Sequence, residues 1–188
     1  MKLKILDNNY TTNELIATSK LHKKILINSI ATNMSTKSLS LLYDLLIKNK
    51  KLLVANAIEN NEVIGSISVV VNKTSIRDFN LDFLKIIYHL SLSYIRRPIN
   101  TLKESYFKYV AYKNIISEKN VIFLFVEEHY RGKKVASNLL NLVLKNLRGS
   151  ISVDTNSDNR IAINFYKKNN FVIINQTKMK TVLILDNK

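Results

Sequence analysis

Between Asn120 and Val126 the chain reads NVIFLFV, an almost unbroken apolar run, and from Val135 onward apolar residues recur at 135, 136, 139, 140, 143, 144 and 147. The run reads as a central strand buried on both faces, and the spacing that follows predicts a helix with one apolar stripe. Short β-branched runs alternate with helical spacing elsewhere too. KLKIL near the amino terminus predicts a first strand, and TTNE after it supplies a capping box, Thr11 accepting a backbone N–H while Glu14 reaches back. The helix it opens can bury Leu15, Ile16, Leu21, Ile25 and Leu26, and SLSLLYDLLIK predicts a second helix from the spacing of Leu41, Leu42, Leu45 and Leu46. LLVANAIEN and EVIGSISVVVN meet at ENNE and predict a hairpin, strands two and three. Towards the carboxyl end, ISVDT reads as a strand, NRIAINFYKKN as a helix, and FVIIN with TVLIL as two closing strands. The expected fold class is α/β (α+β), a mixed central sheet of about 6–7 strands flanked by helices.

The segment from about residue 73 to 119 departs from this rhythm. Phe83, Leu84, Ile87, Leu90 and Ile95 predict a helix that ends before Arg96-Arg97-Pro98, and Thr101 with Glu104 forms a second capping box before Tyr106, Phe107, Val110 and Ala111. A helical insert between strands 3 and 4 is expected. Its aromatic and basic residues fit base stacking with phosphate contact, but aromatics at helical spacing are more often core, and that is the preferred reading. Without an internal repeat or a linker rich in Pro, Gly or Ser, residues 1–188 read as one domain.

Composition narrows the chemistry. Hydrophobic residues at 46% and charged residues at 23% set disorder aside. The absence of cysteine excludes a disulfide framework, a thiolate nucleophile and a Cys-ligated metal. His22, His89 and His129 stand too far apart in sequence for metal-ligand spacing, so no metal site is expected. His22 falls near the first apolar stripe and reads as a packing histidine, with a substrate contact as the second reading. A formal net charge of +15 attracts anions at long range, but the basic residues are scattered rather than blocked into a tail. No signal-peptide core and no membrane-spanning run is present, which makes a cytoplasmic protein without membrane insertion the expectation.

The sharpest local signal is VIFLFVEEHYRGKKVASNLL, a strand, a turn and a helix start. A helix amino terminus carries N–H groups without intrahelical partners and the positive end of the helix dipole, so it suits a phosphate. Gly132 permits close backbone approach, Ala136 leaves the first turn open, and Arg131, Lys133 and Lys134 add charge at the rim. VEEHYRGKKVASNLL resembles the acyl-coenzyme A signature of the GNAT acetyltransferases, Arg/Gln-x-x-Gly-x-Gly/Ala. Downstream, NRIAINFYKKNNF is similar to the family's second signature through Asn159, Ala162, Phe165, Tyr166 and Phe171. Two positions depart from the pattern, Lys134 and Asn170, each standing where the family usually has glycine. Asn tolerates a left-handed backbone. Lys134 either occupies such a position at a cost, or sits in ordinary helical geometry and contributes charge.

The resemblance implies acetyl-CoA as cosubstrate, held in a cleft between splayed fourth and fifth strands. Its pyrophosphate would rest on the amides of Arg131, Gly132, Lys133, Lys134, Val135 and Ala136, and its pantetheine arm would pair with the backbone near Leu124 and Val126. Asn159 matches a position that often contacts the cofactor, and Tyr166 matches the tyrosine that protonates the leaving thiolate. The implied reaction is direct attack by a primary amine in a ternary complex, with a small acceptor such as an amino sugar or sugar nucleotide. The net charge keeps a macromolecular acceptor open, aminoacyl-tRNA or a protein amine, as well as a nonenzymatic nucleic-acid-binding module with a degraded cofactor loop. The insert would form a wall of the acceptor pocket or a homodimer contact. No base stands out: Glu118, Glu127, Glu128 and His129 lie near the site in sequence, while Asn120 falls roughly where many relatives carry a strand carboxylate.

Overall fold

The computed structural model describes residues 1–7, 9–27, 34–71, 117 and 119–187. The expected helical insert, with its capping box and apolar stripes, lies outside the described residues but for Ser117 and Lys119.

The first strand, β1 (Lys2–Leu6), leads into α1 (Thr12–Ile25), and the anticipated capping box is complete. The Thr11 hydroxyl accepts from the Glu14 amide at 3.2 Å and the Glu14 carboxylate accepts from the Thr11 amide at 2.7 Å. The same carboxylate takes Lys4 Nζ of β1 at 2.6 Å, so one side chain starts the helix and fixes its angle to the sheet. Next comes α2 (Thr36–Lys48), capped by Ser35, whose hydroxyl accepts from the Ser38 amide at 3.0 Å. Its buried face differs from the expected stripe. Leu39, Tyr43 and Ile47, spaced by four, point inward, while Leu41 is exposed and Leu42, Leu45 and Leu46 are only half-buried. The segment is apolar around most of its girth, so spacing alone gave two equivalent stripes and the tertiary contact selected one.

The hairpin follows as β2 (Leu52–Glu59) and β3 (Glu62–Val70), turning on Asn60 and Asn61, both with positive φ. Then come β4 (Lys119–Val126), a single 3₁₀ turn (Glu128–Tyr130), α3 (Val135–Asn146), β5 (Gly149–Asn156), α4 (Arg160–Lys168), β6 (Val172–Gln176) and β7 (Lys180–Asn187). The seven strands form one sheet in the order β1-β2-β3-β4-β5-β7-β6, and every neighbouring pair is antiparallel except β4 and β5.

Strand alternation sorts the core into two layers. On one face Ala55, Ala57, Ile67, Val69 and Val121 meet Val135, Leu139, Leu140 and Val143 of α3. On the other, Val54 and Leu52 meet Leu15 of α1 and Leu39, Tyr43 and Ile47 of α2. The apolar run of β4 is not buried throughout. Val121, Phe125 and Val126 are buried, whereas Ile122, Phe123 and Leu124 are half-buried, because the strand loses a neighbour partway along.

Candidate functional site

That loss of a neighbour is the central feature of the site. β4 pairs with β5 only at Lys119↔Ile151, Asn120↔Ser152 and Val121↔Val153, although the two strands run on to Val126 and Asn156. On its other edge β4 stays bound to β3 as far as Gly65↔Val126. Residues 122–126, including Leu124 and Val126, therefore present one backbone edge with no β5 partner. The register with β3 shifts between Ser68 and Val69, which makes Ile122 the extra residue, immediately after the last residue paired to β5. A bulge sharpens the local twist and bends its strand. The parting begins where that bend is applied.

Beyond β4 the chain turns into α3, and the amides of this turn divide into two sets. Those of Arg131 and Lys133 close back on the carbonyls of Glu128 (3.1 Å) and Tyr130 (3.4 Å). Those of Gly132 and Lys134 have no backbone acceptor among the described residues, and the amides of Val135, Ala136 and Ser137 precede the first bond of the helix, Asn138 N–H to the Lys134 carbonyl at 2.9 Å. No side chain caps this helix. Left-handed backbone at Gly132 (φ 78°) and Lys134 (φ 61°, ψ 9°) curls the turn. A Cβ at Gly132 would meet nothing within 4 Å, so glycine serves the backbone angle there and not a steric need. Lys134 does not adopt ordinary helical geometry; it holds the strained angle that glycine usually supplies. Arg131 Nε donates to the Val126 carbonyl at 3.4 Å, Lys133 Nζ lies 5.0 Å from the centre of the Tyr130 ring, and all three cations are exposed.

A glycine that sequence reading passed over seats this helix. A Cβ on Gly65 of β3 would stand 3.1 Å from the Phe125 carbonyl, 3.1 Å from Val135 Cγ1 and 3.3 Å from Leu139 Cδ1. Gly65 thus lets the first turn of α3 lie directly on the sheet beside the open edge of β4. Its only sequence signal was a glycine inside a strand pattern, which marks close backbone approach.

Asn159 is the N-cap of α4, its Oδ1 accepting from the Ala162 amide at 3.1 Å. Tyr166 sits on the inner face of that helix, 5% exposed, its ring 5.1 Å from Phe165 and 5.3 Å from Phe171 in edge-on contacts. Burial, and secondarily the nearby Asp154 carboxylate, holds its phenol well above the ordinary tyrosine range, so it stays protonated at neutral pH. Asn170 takes φ 66° after the helix, the left-handed turn its replacement of glycine requires.

Where β4 and β5 are still joined, Asn120 Nδ2 donates to Ser152 Oγ at 2.9 Å, and Ser117 Oγ lies 2.7 Å from the same atom. This corner holds an amide and hydroxyls. Glu127 pairs with Lys24 of α1 at 2.5 Å, Glu128 and His129 are exposed in the turn, and Glu118 lies outside the described residues. His22 is fully buried, its Nδ1 2.7 Å from the Tyr43 hydroxyl and its ring 4.4 Å from Phe123 and 5.5 Å from Phe125. Burial, with a smaller push from the Lys23 charge, lowers its pKa to about 4. It is a neutral packing residue. No cluster of metal-ligating side chains occurs among the described residues.

The arrangement was compared with known proteins. Residues 103–171 match the model of the acetyltransferase (GNAT) family. No curated protein matches the sequence significantly. Among solved structures, the chain is similar to an N-acetyltransferase from Staphylococcus aureus Mu50 (TM-score 0.61, 14% identity, covering 100% of both chains). It is also similar to the ribosomal-protein-S18-alanine N-acetyltransferase of Escherichia coli (TM-score 0.60, 11% identity, covering 100% of this chain and 95% of that one). A third likeness is to the PaiA N-acetyltransferase of Thermoplasma acidophilum, solved with coenzyme A (TM-score 0.57, 13% identity, covering 99% of both). At these identities the structural likeness speaks for the fold.

Proposed function

We propose that the chain, whose residues 103–171 match the GNAT acetyltransferase family model, uses acetyl-CoA and transfers its acetyl group to a primary amine by direct attack in a ternary complex. The observation that supports this reading best is the parting of β4 from β5 beside an uncapped helix amino terminus. One feature offers strand-like hydrogen bonds and the other offers orphan amides to an anion. The residues present fit the cosubstrate. Gly132, Lys134, Val135 and Ala136 would hold the pyrophosphate by their amides, with Arg131 and Lys133 acting through charge. Leu124 and Val126 would pair with the pantetheine arm through their backbone, and Asn159 would contact it from the start of α4. When bound, acetyl-CoA supplies a thioester with a thiolate leaving group.

Tyr166 keeps its proton at neutral pH and is suited to give it to the departing sulfur. A backbone N–H on the open edge of β4 can donate to the carbonyl oxygen as charge builds there. The incoming ammonium must lose a proton before it attacks, and with Glu127 paired and an amide at Asn120, that proton leaves through water. No covalent enzyme intermediate is needed, in keeping with a chain without cysteine.

The acceptor we assign is a small primary amine, of the kind carried by an amino sugar or sugar nucleotide. A protein amine is the second reading, favoured by the fold likeness to an enzyme of Escherichia coli named for a ribosomal-protein alanine. Thermal unfolding with saturating acetyl-CoA tests the first half of the proposal: the midpoint should rise, and no shift would remove the enzyme reading. Release of free coenzyme A across a panel of amino sugars, sugar nucleotides, peptides with free amino termini and aminoacyl-tRNA then separates the acceptors. Tyr166→Phe should cut turnover by about 10²-fold or more with little change in acetyl-CoA affinity; an unchanged rate takes Tyr166 out of the acid role.

A further inference from the structure

The layer between α1 and the sheet is polar where a helix packed on strands is ordinarily apolar. The buried residues of α1 are Leu15, Thr18, Ser19, Leu21 and His22, and Thr18, Ser19 and His22 are fully buried. They face Asn56 of β2 and Ser66 and Ser68 of β3, also fully buried. Asn56 Nδ2 donates to Thr18 Oγ1 at 2.8 Å, and Thr18 Oγ1 donates to the Glu14 carbonyl at 2.8 Å. Four oxygens in this layer have no hydrogen-bond partner: Ser19 Oγ, Asn56 Oδ1, Ser66 Oγ and Ser68 Oγ.

The strand residues share one face of the sheet. Asn56 and Ser66 are opposite each other across the β2–β3 ladder, with Cβ atoms about 5 Å apart. Ser66 and Ser68 are two apart on one strand and share its α1-facing side. Their cross-strand partners on β4 are Phe125 and Phe123, the two rings on which His22 rests. Ser68 Oγ lies beside the Tyr43 hydroxyl. Helix α1 therefore sets Ser19 and His22 over the same patch that the sheet lines with Asn56, Ser66 and Ser68.

A buried hydroxyl or amide oxygen left dry costs about 1–3 kcal/mol. Four in one layer would cost a large part of a small domain's stability. We propose that this layer is an internal water-binding site, on the order of two ordered waters bridging Ser19 to Asn56, Ser66 and Ser68. Each water makes about three hydrogen bonds, enough for two waters to satisfy all four oxygens and one another. The site couples α1 to β3 without direct side-chain bonds, alongside the Asn56–Thr18 link. It does not depend on the transferase reading.

Nuclear magnetic resonance on the intact protein tests it directly, through cross-relaxation between long-lived water and the amide protons of Ser66 and Ser68. Such signals are expected, and their absence in the folded, well-dispersed protein overturns the proposal. Stability gives an independent test that discriminates by sign. At a hydrated site Ser66→Ala and Ser68→Ala each lower the thermal midpoint by about 3 °C, and the double variant loses less than the sum because the two hydroxyls share water. A rise in midpoint on either single substitution, the expected result of deleting an orphan hydroxyl from a dry layer, also overturns it.

Discussion

Lys134 carries the backbone strain of the turn proposed to hold the pyrophosphate. A non-glycine residue at φ 61° pays about 1 kcal/mol against the right-handed region, part of which a glycine recovers after its larger loss of chain entropy. Lys134→Gly should stabilise the protein by about 0.5–1 kcal/mol in urea unfolding, whereas Lys134→Ala, with the same strain, should show no such gain. His22 carries a pH signature. Its folded pKa of about 4 lies below its ordinary value of 6.5, so between those values the unfolded chain binds the extra proton. Its contribution is fully present above pH 6.5 and is lost as pH falls towards 4, by up to about 3 kcal/mol. The Lys23 charge on its own helix opposes protonation, and Tyr43 on α2 is neutral. Urea midpoints measured from pH 7 to 4 should fall more steeply for the native protein than for His22→Gln.

Among the elements, β3 and α3 are placed against each other by an absent side chain. The contacts that a methyl at Gly65 would make include the Phe125 carbonyl, which belongs to the β3–β4 ladder and cannot yield as a side-chain tip can. Gly65→Ala should cost about 1–3 kcal/mol in stability. Since α3 then shifts outward at the turn that carries Gly132 and Lys134, acetyl-CoA affinity should fall with it, measurable by titration calorimetry on the folded variant. The fold of each element was legible in advance to a good degree. Thr11 and Glu14 announce the start of α1 through local hydrogen bonds, and the seven-residue recurrence from Val135 announces α3 through its own periodicity. In α2 the same reasoning picked the wrong stripe, because its leucines run most of the way round and only the packing partner distinguishes Leu39 from Leu41.

For the whole molecule the formal net charge is +15, and among the described residues Arg131, Lys133 and Lys134 stand exposed at the turn before α3. Association with a multiply anionic cosubstrate should therefore be steered electrostatically. Raising salt from about 0.05 to 0.5 M shortens the screening length severalfold, so the acetyl-CoA on-rate measured by stopped flow should drop markedly while the off-rate changes less. An on-rate indifferent to salt would show that the rim cations do not guide the ligand. Among the described residues no helix is long and apolar enough to cross a membrane.

The sequence by itself determined what local chemistry can encode: caps, periodicities, the absence of thiol chemistry, and two motifs that resemble the GNAT signatures. It placed Leu124, Val126, Gly132 to Ala136, Asn159 and Tyr166 on the elements that carry them. Only the tertiary structure decided that β4 leaves β5 after three pairs, that Lys134 takes the left-handed angle, that Gly65 seats α3, and that α1 buries Thr18, Ser19 and His22 with Thr18 on Asn56. All but the Lys134 angle depend on which segments meet across distant stretches of the chain or across neighbouring strands. Hydrophobic patterning reports whether a residue is buried, and it carries no record of the partner it is buried against.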